Sequence, residues 1–454
     1  MNRAPSATPD ERPAMIGGLR SGPAGLAPGT GNLPWLDGLR YGALGAPLAF
    51  AALPLYVLLP SHYAARLGVP LAGLGAVLLA TRALDALIDP TLGRWVDRGL
   101  AQPRQRVLAG ALLAALLMAL GFAALFLPPA GTPSALLAWC AGALVVTSLG
   151  YSALGVLHQA WGARLGGGAA AQARIVSWRE GLALAGVLSA SVLPALAGIP
   201  AMVAACIGLL VLGLWGLSAA PFKPVPPRLL GPAAGGRASA AGATWALPWR
   251  VGNFRRLMAV FLLNGVASAI PATLVLFFIR DRLQAPAWEP LFLGCYFAAG
   301  ALSMPLWVRA VARFGLVRCW LAGMALAVAA FVWAARLGAG DGPAFVAICL
   351  ASGAALGADL AIPGALLAGV IARAGHGLRH EGSYFGWWTC ANKLNLALAA
   401  GLALPALQAL GYAPGARSEA ALVSLALIYA ALPCLLKGAA AALLWHHRFH
   451  LDRP

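Results

Sequence analysis

The sequence predicts an all-helical integral membrane protein: twelve transmembrane helices in two six-helix bundles, with both termini in the cytoplasm. Composition, repeated apolar segments of spanning length and uneven placement of basic residues predict it. The 454 residues are 61% hydrophobic and 10% charged, too little charge to cover the surface of a soluble protein of this length. Apolar segments of about 20 residues, enough for a ~30 Å hydrocarbon core, recur along the chain. They lie near 41–60, 71–92, 107–127, 135–158, 180–198, 200–218, 257–279, 290–308, 317–335, 343–371, 384–410 and 419–445.

With the N-terminus inside, most Lys and Arg fall in cytoplasmic segments and only five in the outer loops. This is the positive-inside bias. The net charge of +18 therefore reports topology, and no nucleic-acid partner is expected. The partners expected are the lipid bilayer and a small-molecule or amphipathic substrate. The Arg-, Ala- and Gly-rich composition suits a bacterial inner (cytoplasmic) membrane protein, taken as a monomer.

Residues 1–35 are rich in Pro, Gly and Ala and lack the apolar core of a secretory signal, so they read as a disordered cytoplasmic tail. Residues 36–218 form the first bundle and 256–445 the second. Between them, 219–255 holds several prolines, a Gly/Ala/Ser run and scattered basic residues, the composition of a cytoplasmic linker. Residues 446–454 are expected to form a short tail, with His446, His447 and His450 near the lipid headgroups. The seven cysteines are scattered through or beside apolar spans without paired spacing, so neither a disulfide framework nor a metal site is expected.

The halves echo each other. Pro90 is followed at +4 by Arg94 and at +8 by Arg98; Pro305 is followed at +4 by Arg309 and at +8 by Arg313. Parallel repeats of this kind mark transporters, and with a six-plus-six count they favour the major facilitator architecture. Superposing the two prolines places Asp89 over Met304 and Asp85 over Gly300, so the acidic pair belongs to one half only.

That pair is the strongest functional signal. Asp85 and Asp89 lie four residues apart, hence on one helix face, inside the second span. Two anions in hydrocarbon require a cation, a proton or a water-filled cavity, so they are read as the cation site. Thr147 and Ser148 on the fourth span offer further oxygens for Na⁺; a raised pKa on one acid would instead suit H⁺. The bland alternative is a fixed pair neutralised by Arg82 and Lys393. Lys393, one of three lysines against 29 arginines, stands in the eleventh span and needs a counter-anion, for which Asp85, Asp89 and Asp359 are available. With Trp387, Trp388, Asn392, Tyr151 and Arg179 it makes up the expected substrate and coupling set.

Gly93, Arg94, Asp97, Arg98, Arg309, Arg313, Arg379 and Glu381 lie at cytoplasmic helix ends. There, charges that pair between bundles in one conformation and part in the other bias alternating access. Asp359, four residues before Pro363 in the tenth span, is assigned to the same gating group, with pairing inside its own bundle as the alternative. His158 reads as a polar residue near the end of the fourth span. No acid, base or metal-ligand cluster points to an enzyme, and no cofactor is expected beyond the coupling ion, Na⁺ or H⁺.

The run Arg82-x-x-Asp85-x-x-x-Asp89-Pro90-x-x-Gly93-x-x-x-Asp97-Arg98 resembles the second-helix motif of the glycoside–pentoside–hexuronide:cation symporters. Asp359-x-x-x-Pro363, the stretch from Gly377 to Gly386, Lys393 and Gly411-Tyr412 agree with the same family. The resemblance runs from about Tyr41 to Tyr412. It implies a major facilitator fold, a coupling cation on Asp85 and Asp89, and cation-coupled symport of a small organic solute, a glycoside among the expected substrates. Sugar carriers of that family place acids in the first and fourth helices; Ala49 and Ser148 stand at or near those positions here. Similar vertebrate carriers move lysophospholipids, so a carrier or flippase for a lysophospholipid or other amphipathic lipid-like substrate is the alternative.

Overall fold

The structure is a computed structural model that describes residues 34–224, 226, 245–413 and 415–451. The first tail up to Leu33 and linker residues 227–244 lie outside the described residues. Among the described residues are twelve long helical segments. The first half contains α1 (residues 35–66), α2 (Leu71–Leu100), α3 (Arg104–Phe126), α4 (Pro133–Leu165), α5 (Ala169–Pro194) and α6 (Leu196–Ala219). The second contains α7 (Gly252–Arg282), α8 (Pro286–Phe314), α9 (Leu316–Arg336), α10 (Gly342–Arg373), α11 (Glu381–Ala409) and α12 (Glu419–Leu451).

Ten of these, α3 to α12, are long and apolar enough to cross a membrane by length and composition alone. The two that are not have physical reasons. α1 is interrupted by Pro54 and Pro60 and relaxes into π-helical turns at Pro54–Leu58 and His62–Arg66, because proline cannot donate to the preceding turn. α2 is a continuous helix of 30 residues with Pro90 inside it, but Arg82, Asp85, Asp89, Arg94, Asp97 and Arg98 lower its hydropathy.

Prolines and glycines set the other boundaries. Pro103 precedes α3, Thr132 caps α4 by accepting from the Ala135 amide at 3.3 Å, and Gly166 ends α4 at a φ of 72°. Gly198, at a φ of 81°, makes the kink between α5 and α6, a conformation glycine adopts without steric penalty. At the cytoplasmic side several helices outrun their apolar spans. α2 continues to Leu100 and α4 to Leu165, while α12 runs through residues 446–451, the stretch read from sequence as a tail. Those extra turns carry the polar contacts described below.

Within the first half, α1 packs on α5 and α6, and α4 on α2 and α3; within the second, α10 packs on α8 and α9, and α7 on α12. The halves meet where α2 and α4 contact α11 and where α5 contacts α8 and α10. Small residues carry the closest approaches, as expected where no hydrophobic force separates helix from lipid. A Cβ on Gly150 of α4 would lie 2.5 Å from both the Ala114 carbonyl oxygen and the Met118 nitrogen of α3.

This seam predicts that Gly150→Leu forces α3 and α4 apart at an overpacking cost of roughly 1–3 kcal/mol. The expected outcome is a lower melting temperature in detergent. A variant as stable as the parent would overturn this account of the packing.

Candidate functional site: a charged cluster and cavity between the halves

Asp85 and Asp89 lie one turn apart on α2 and are 8% and 0% exposed. Opposite them, α11 presents Lys393. Its Nζ is 3.4 Å from Asp85 Oδ2, 2.9 Å from Asp89 Oδ2 and 3.0 Å from Asp89 Oδ1. A fourth contact, 2.8 Å, is to Ser152 Oγ on α4. One ammonium thus ties two carboxylates and a hydroxyl, drawn from three helices and both halves.

Backbone proximity makes that reach feasible. A Cβ on Gly386 of α11 would lie 2.6 Å from the Asp89 carbonyl oxygen, and Gly93 of α2 presses on the Gly382 backbone. Pro90, one residue after Asp89, cannot donate to the carbonyl of Ala86, which leaves that oxygen without its helical partner beside the acids. The side chain of Arg82, the other expected counter-charge, lies outside the described residues. The two acids and Lys393 alone sum to one net negative charge.

The hydroxyls expected from sequence divide. Thr147 donates to the Ala143 carbonyl at 2.7 Å and faces Gly121 of α3, away from the acids. Ser148 is half-buried on α4. Ser152, one turn further along the same face, is the residue that meets Lys393. Its signal in the sequence was this four-residue offset from Ser148; the rotation of α4 relative to α2 decided which of the two reaches the cluster.

Beside the cluster lies a cavity between the halves of about 780 Å³, part of it open solvent. Ser152 lines both. Its other walls include Ala49 of α1, Tyr151, His158 and Gln159 of α4, Arg179 and Glu180 of α5, and Trp388 and Asn392 of α11. Arg179 Nη2 and Nε contact Glu180 Oε1 at 2.7 and 3.0 Å. Gln159 Nε2 donates to Thr389 Oγ1 at 3.3 Å, a second link across the halves. Trp388 stacks on Phe261 of α7 with ring centroids 3.6 Å apart.

Trp387 is placed elsewhere. Its indole donates to the Trp245 carbonyl at 2.9 Å and its ring meets Trp245 and Trp249, so it anchors the chain entering α7. His158 is fully buried: its Nε2 lies 2.8 Å from the Tyr41 carbonyl, and the Tyr41 hydroxyl donates back to the His158 carbonyl at 3.0 Å. A carbonyl only accepts, so Nε2 carries the proton. This reciprocal tie between α1 and α4 goes beyond the polar end residue read from sequence; neither residue type nor spacing announced it.

At the cytoplasmic end a second set of charges holds the halves together. Asp97 of α2 accepts from the amides of Gly382 and Ser383 at 2.6 and 2.8 Å and from Ser383 Oγ at 2.6 Å. These are first-turn groups of α11, whose own N-cap, His380, makes no side-chain cap. The carboxylate therefore caps a helix of the other half, where orphan amides and the helix dipole favour an anion. Glu381 pairs with Arg164 of α4 at 3.1 Å with both side chains at most 3% exposed, and Arg164 also donates to the Leu100 carbonyl at 2.7 Å. Arg164 is a partner that sequence reasoning missed.

The remaining gate candidates are distributed differently. Arg94 is half-buried, and Arg98, Arg309, Arg313 and Arg379 are exposed, with Arg313 over the ring of Phe314 at 5.4 Å. Asp359 is not at the gate. It pairs with Lys437 at 2.6 Å and accepts from Trp320 and Asn264 at 2.9 and 3.2 Å, all within the second half. A polar residue in the middle of α10 is too far along its helix to reach the cytoplasmic contacts. Among the described residues no three His, Cys, Asp or Glu side chains converge to hold a metal ion, and the seven cysteines are free thiols.

Solved structures of the same fold include a bacterial homologue of the iron transporter ferroportin in an outward-facing state. It is 17% identical, with a TM-score of 0.63 and coverage of 90% of this chain and 99% of that one. The E. coli fucose:proton symporter FucP is 14% identical, with a TM-score of 0.63 and coverage of 92% and 98%. At such identity these likenesses show the major facilitator fold alone. Curated protein sequences contain no significant match. The family model described as MFS/sugar transport protein matches residues 39–453. By that match the chain belongs to the MFS/sugar transport protein family, and it is a multi-pass secondary transporter rather than an enzyme.

Proposed function

We propose that this protein is a cation-coupled symporter of a small polar organic solute of glycoside type, working by alternating access in a bacterial inner membrane. One observation carries the reading: a single Lys393 ammonium lies between two buried carboxylates of the opposite half. Two acids and one ammonium leave one negative charge, and a buried uncompensated charge is costly. One monovalent cation, Na⁺ or H⁺, restores neutrality.

Because the acids belong to one half and Lys393 to the other, a cation arriving at Asp85 and Asp89 competes with the contact that joins the halves. Ion binding is thereby coupled to the bundle equilibrium. Ser152 touches Lys393 and also lines the cavity, so a solute there senses the same equilibrium. By linkage, solute and cation then raise each other's affinity by one factor. The Asp97 and Glu381 contacts would hold the cytoplasmic end shut while the cavity loads, and part when the carrier turns inward.

The cavity's chemistry supports a hydroxylated solute. Glu180, Gln159 and Asn392 supply acceptors and donors, and Glu180 provides a carboxylate on a wall where Ala49 supplies none. A site that bonds hydroxyls discriminates strongly against analogues that lack them. The same lack of an acid at Ala49 is what favours the second reading, a carrier or flippase for a lysophospholipid or similar amphiphile.

Uptake by proteoliposomes separates these readings. With methyl glycosides, hexuronates and lysophosphatidylcholine offered under inward Na⁺ or H⁺ gradients, accumulation of a glycoside only with a gradient is the expected result. Asp85→Asn and Asp89→Asn should reduce accumulation to the equilibrium level while the protein remains folded; uphill uptake by both variants would sink the coupling assignment. Gradient-independent movement of the lysolipid would replace the proposal with the second reading.

Asp97→Asn keeps the side-chain shape but removes the charge on the α11 cap, a loss of about 1.5–3 kcal/mol for a charge-assisted bond. Maleimide should then label a cysteine placed at Thr389 more than about tenfold faster from the cytoplasmic side; an unchanged rate would remove Asp97 from the gate. Glu180→Gln should weaken glycoside binding by about tenfold or more, measured by titration calorimetry on protein whose melting temperature is checked in parallel. Undiminished affinity would show that Glu180 does not contact the solute.

A further inference from the structure

Asp359 and Lys437 close one end of a second cavity that belongs wholly to the C-terminal half. Parts of α7, α8, α9, α10 and α12 line about 990 Å³ of empty space, part of it open solvent, and its lining shares no residue with the cavity between the halves. Its walls are aromatic, with Phe292, Tyr296, Phe297, Phe331, Phe345 and Tyr429 contributing rings. These rings brace one another around the space: Phe292 meets Phe345 at 4.8 Å and Phe331 meets Tyr429 at 5.1 Å. Protein interiors pack to near-crystalline density, so a partly open, aromatic-lined cleft with polar groups at one end has the character of a ligand site.

The polar groups at its end decide what charge the ligand carries. Lys437 has three donors, directed to Asp359 Oδ2 at 2.6 Å, Asn264 Oδ1 at 2.8 Å and Ser268 Oγ at 3.1 Å. The other Asp359 oxygen accepts from Trp320 and Asn264. The pair sums to zero charge with its bonds made, so it calls for no ionic partner. Ser352 on the wall is likewise satisfied, donating to the Ile348 carbonyl at 2.6 Å.

The phenols differ. Neither the Tyr296 nor the Tyr429 hydroxyl makes a hydrogen bond among the described residues, and Tyr429 is 2% exposed. A phenol O–H that no protein acceptor engages is left to bond a molecule entering the space. The unmet chemistry of this cavity is therefore two O–H donors among aromatic faces, with Ala272 exposed at the rim.

We propose that the C-terminal bundle holds a second ligand site, distinct from the coupling cavity, for a neutral and mainly apolar molecule with a ring-containing body and one oxygen acceptor such as a ketone, ester or ether. The acceptor would meet Tyr296 and Tyr429, and the rings would lie against the phenylalanine walls.

Benzophenone, with two aryl rings, one carbonyl and its own photochemistry, is the probe. Purified protein in phosphatidylcholine nanodiscs would be irradiated with increasing benzophenone and its peptides mapped by mass spectrometry. The expected result is saturable labelling of cavity-lining peptides from α8, α10 and α12. Tyr429→Phe, which keeps the ring and removes one donor, should weaken it by about three- to tenfold. Ser352→Trp, which fills the space, should abolish it; if that variant does not fold, Tyr429→Phe carries the test alone. Labelling that never saturates, that falls on lipid-facing leucines such as Leu112 and Leu113 of α3, or that is unchanged in Tyr429→Phe would overturn the proposal.

Discussion

The ammonium of Lys393 is the fixed point of this structure. Its contacts to Asp85, Asp89 and Ser152 place three helices from two halves around one charge in a region where water is scarce. Charges in such a place are stable only in company, so the helices that carry them cannot drift independently. The glycine seam of Gly93, Gly382 and Gly386 follows from that demand. Only residues without side chains let α2 and α11 approach closely enough for a lysine to span the gap.

The cytoplasmic closure uses a different physical device for a related end. Asp97 gives a negative charge to the unpaired amides that begin α11, so a helix of one half is completed by a residue of the other. Such a contact is made or broken as a unit, which suits an element with two states better than a graded one. The buried Arg164–Glu381 pair reinforces it from α4. In contrast, the Asp359–Lys437 pair lies inside one half and is fully bonded there. It stabilises the frame of a bundle, and its neighbouring cavity is a feature of that bundle rather than of the space between the two.

Much of the site was legible before any geometry. Asp85, Asp89 and Lys393 were conspicuous because a charge inside an apolar span is costly enough to need a reason. Asp97 and Glu381 were conspicuous because they flank arginines at helix ends. What could not be read was which polar groups share a face across helices. Thr147 and Ser148 were as plausible as Ser152 by position, and one rotation of α4 separates them. Trp387 and Trp388 are adjacent in sequence, yet they point to the linker and to the cavity wall because successive helix residues diverge by about 100°. Asp359 and Lys437 found each other within a bundle because α10 and α12 both border α7, a neighbourhood that residue spacing does not encode.

By itself, the sequence determined the medium and the helical class, and its charge distribution and linker composition carry the expectation of two halves with the basic residues on one side of the membrane. Each of these follows from a local energy: the cost of exposing or burying a given residue type in lipid. Tertiary structure alone decided that Lys393 meets two acids, that Arg164 pairs with Glu381 across the halves, and that an aromatic cavity opens in the second half. Those facts depend on helix rotation and approach, which are set by packing summed over whole surfaces and are not recorded at any one position.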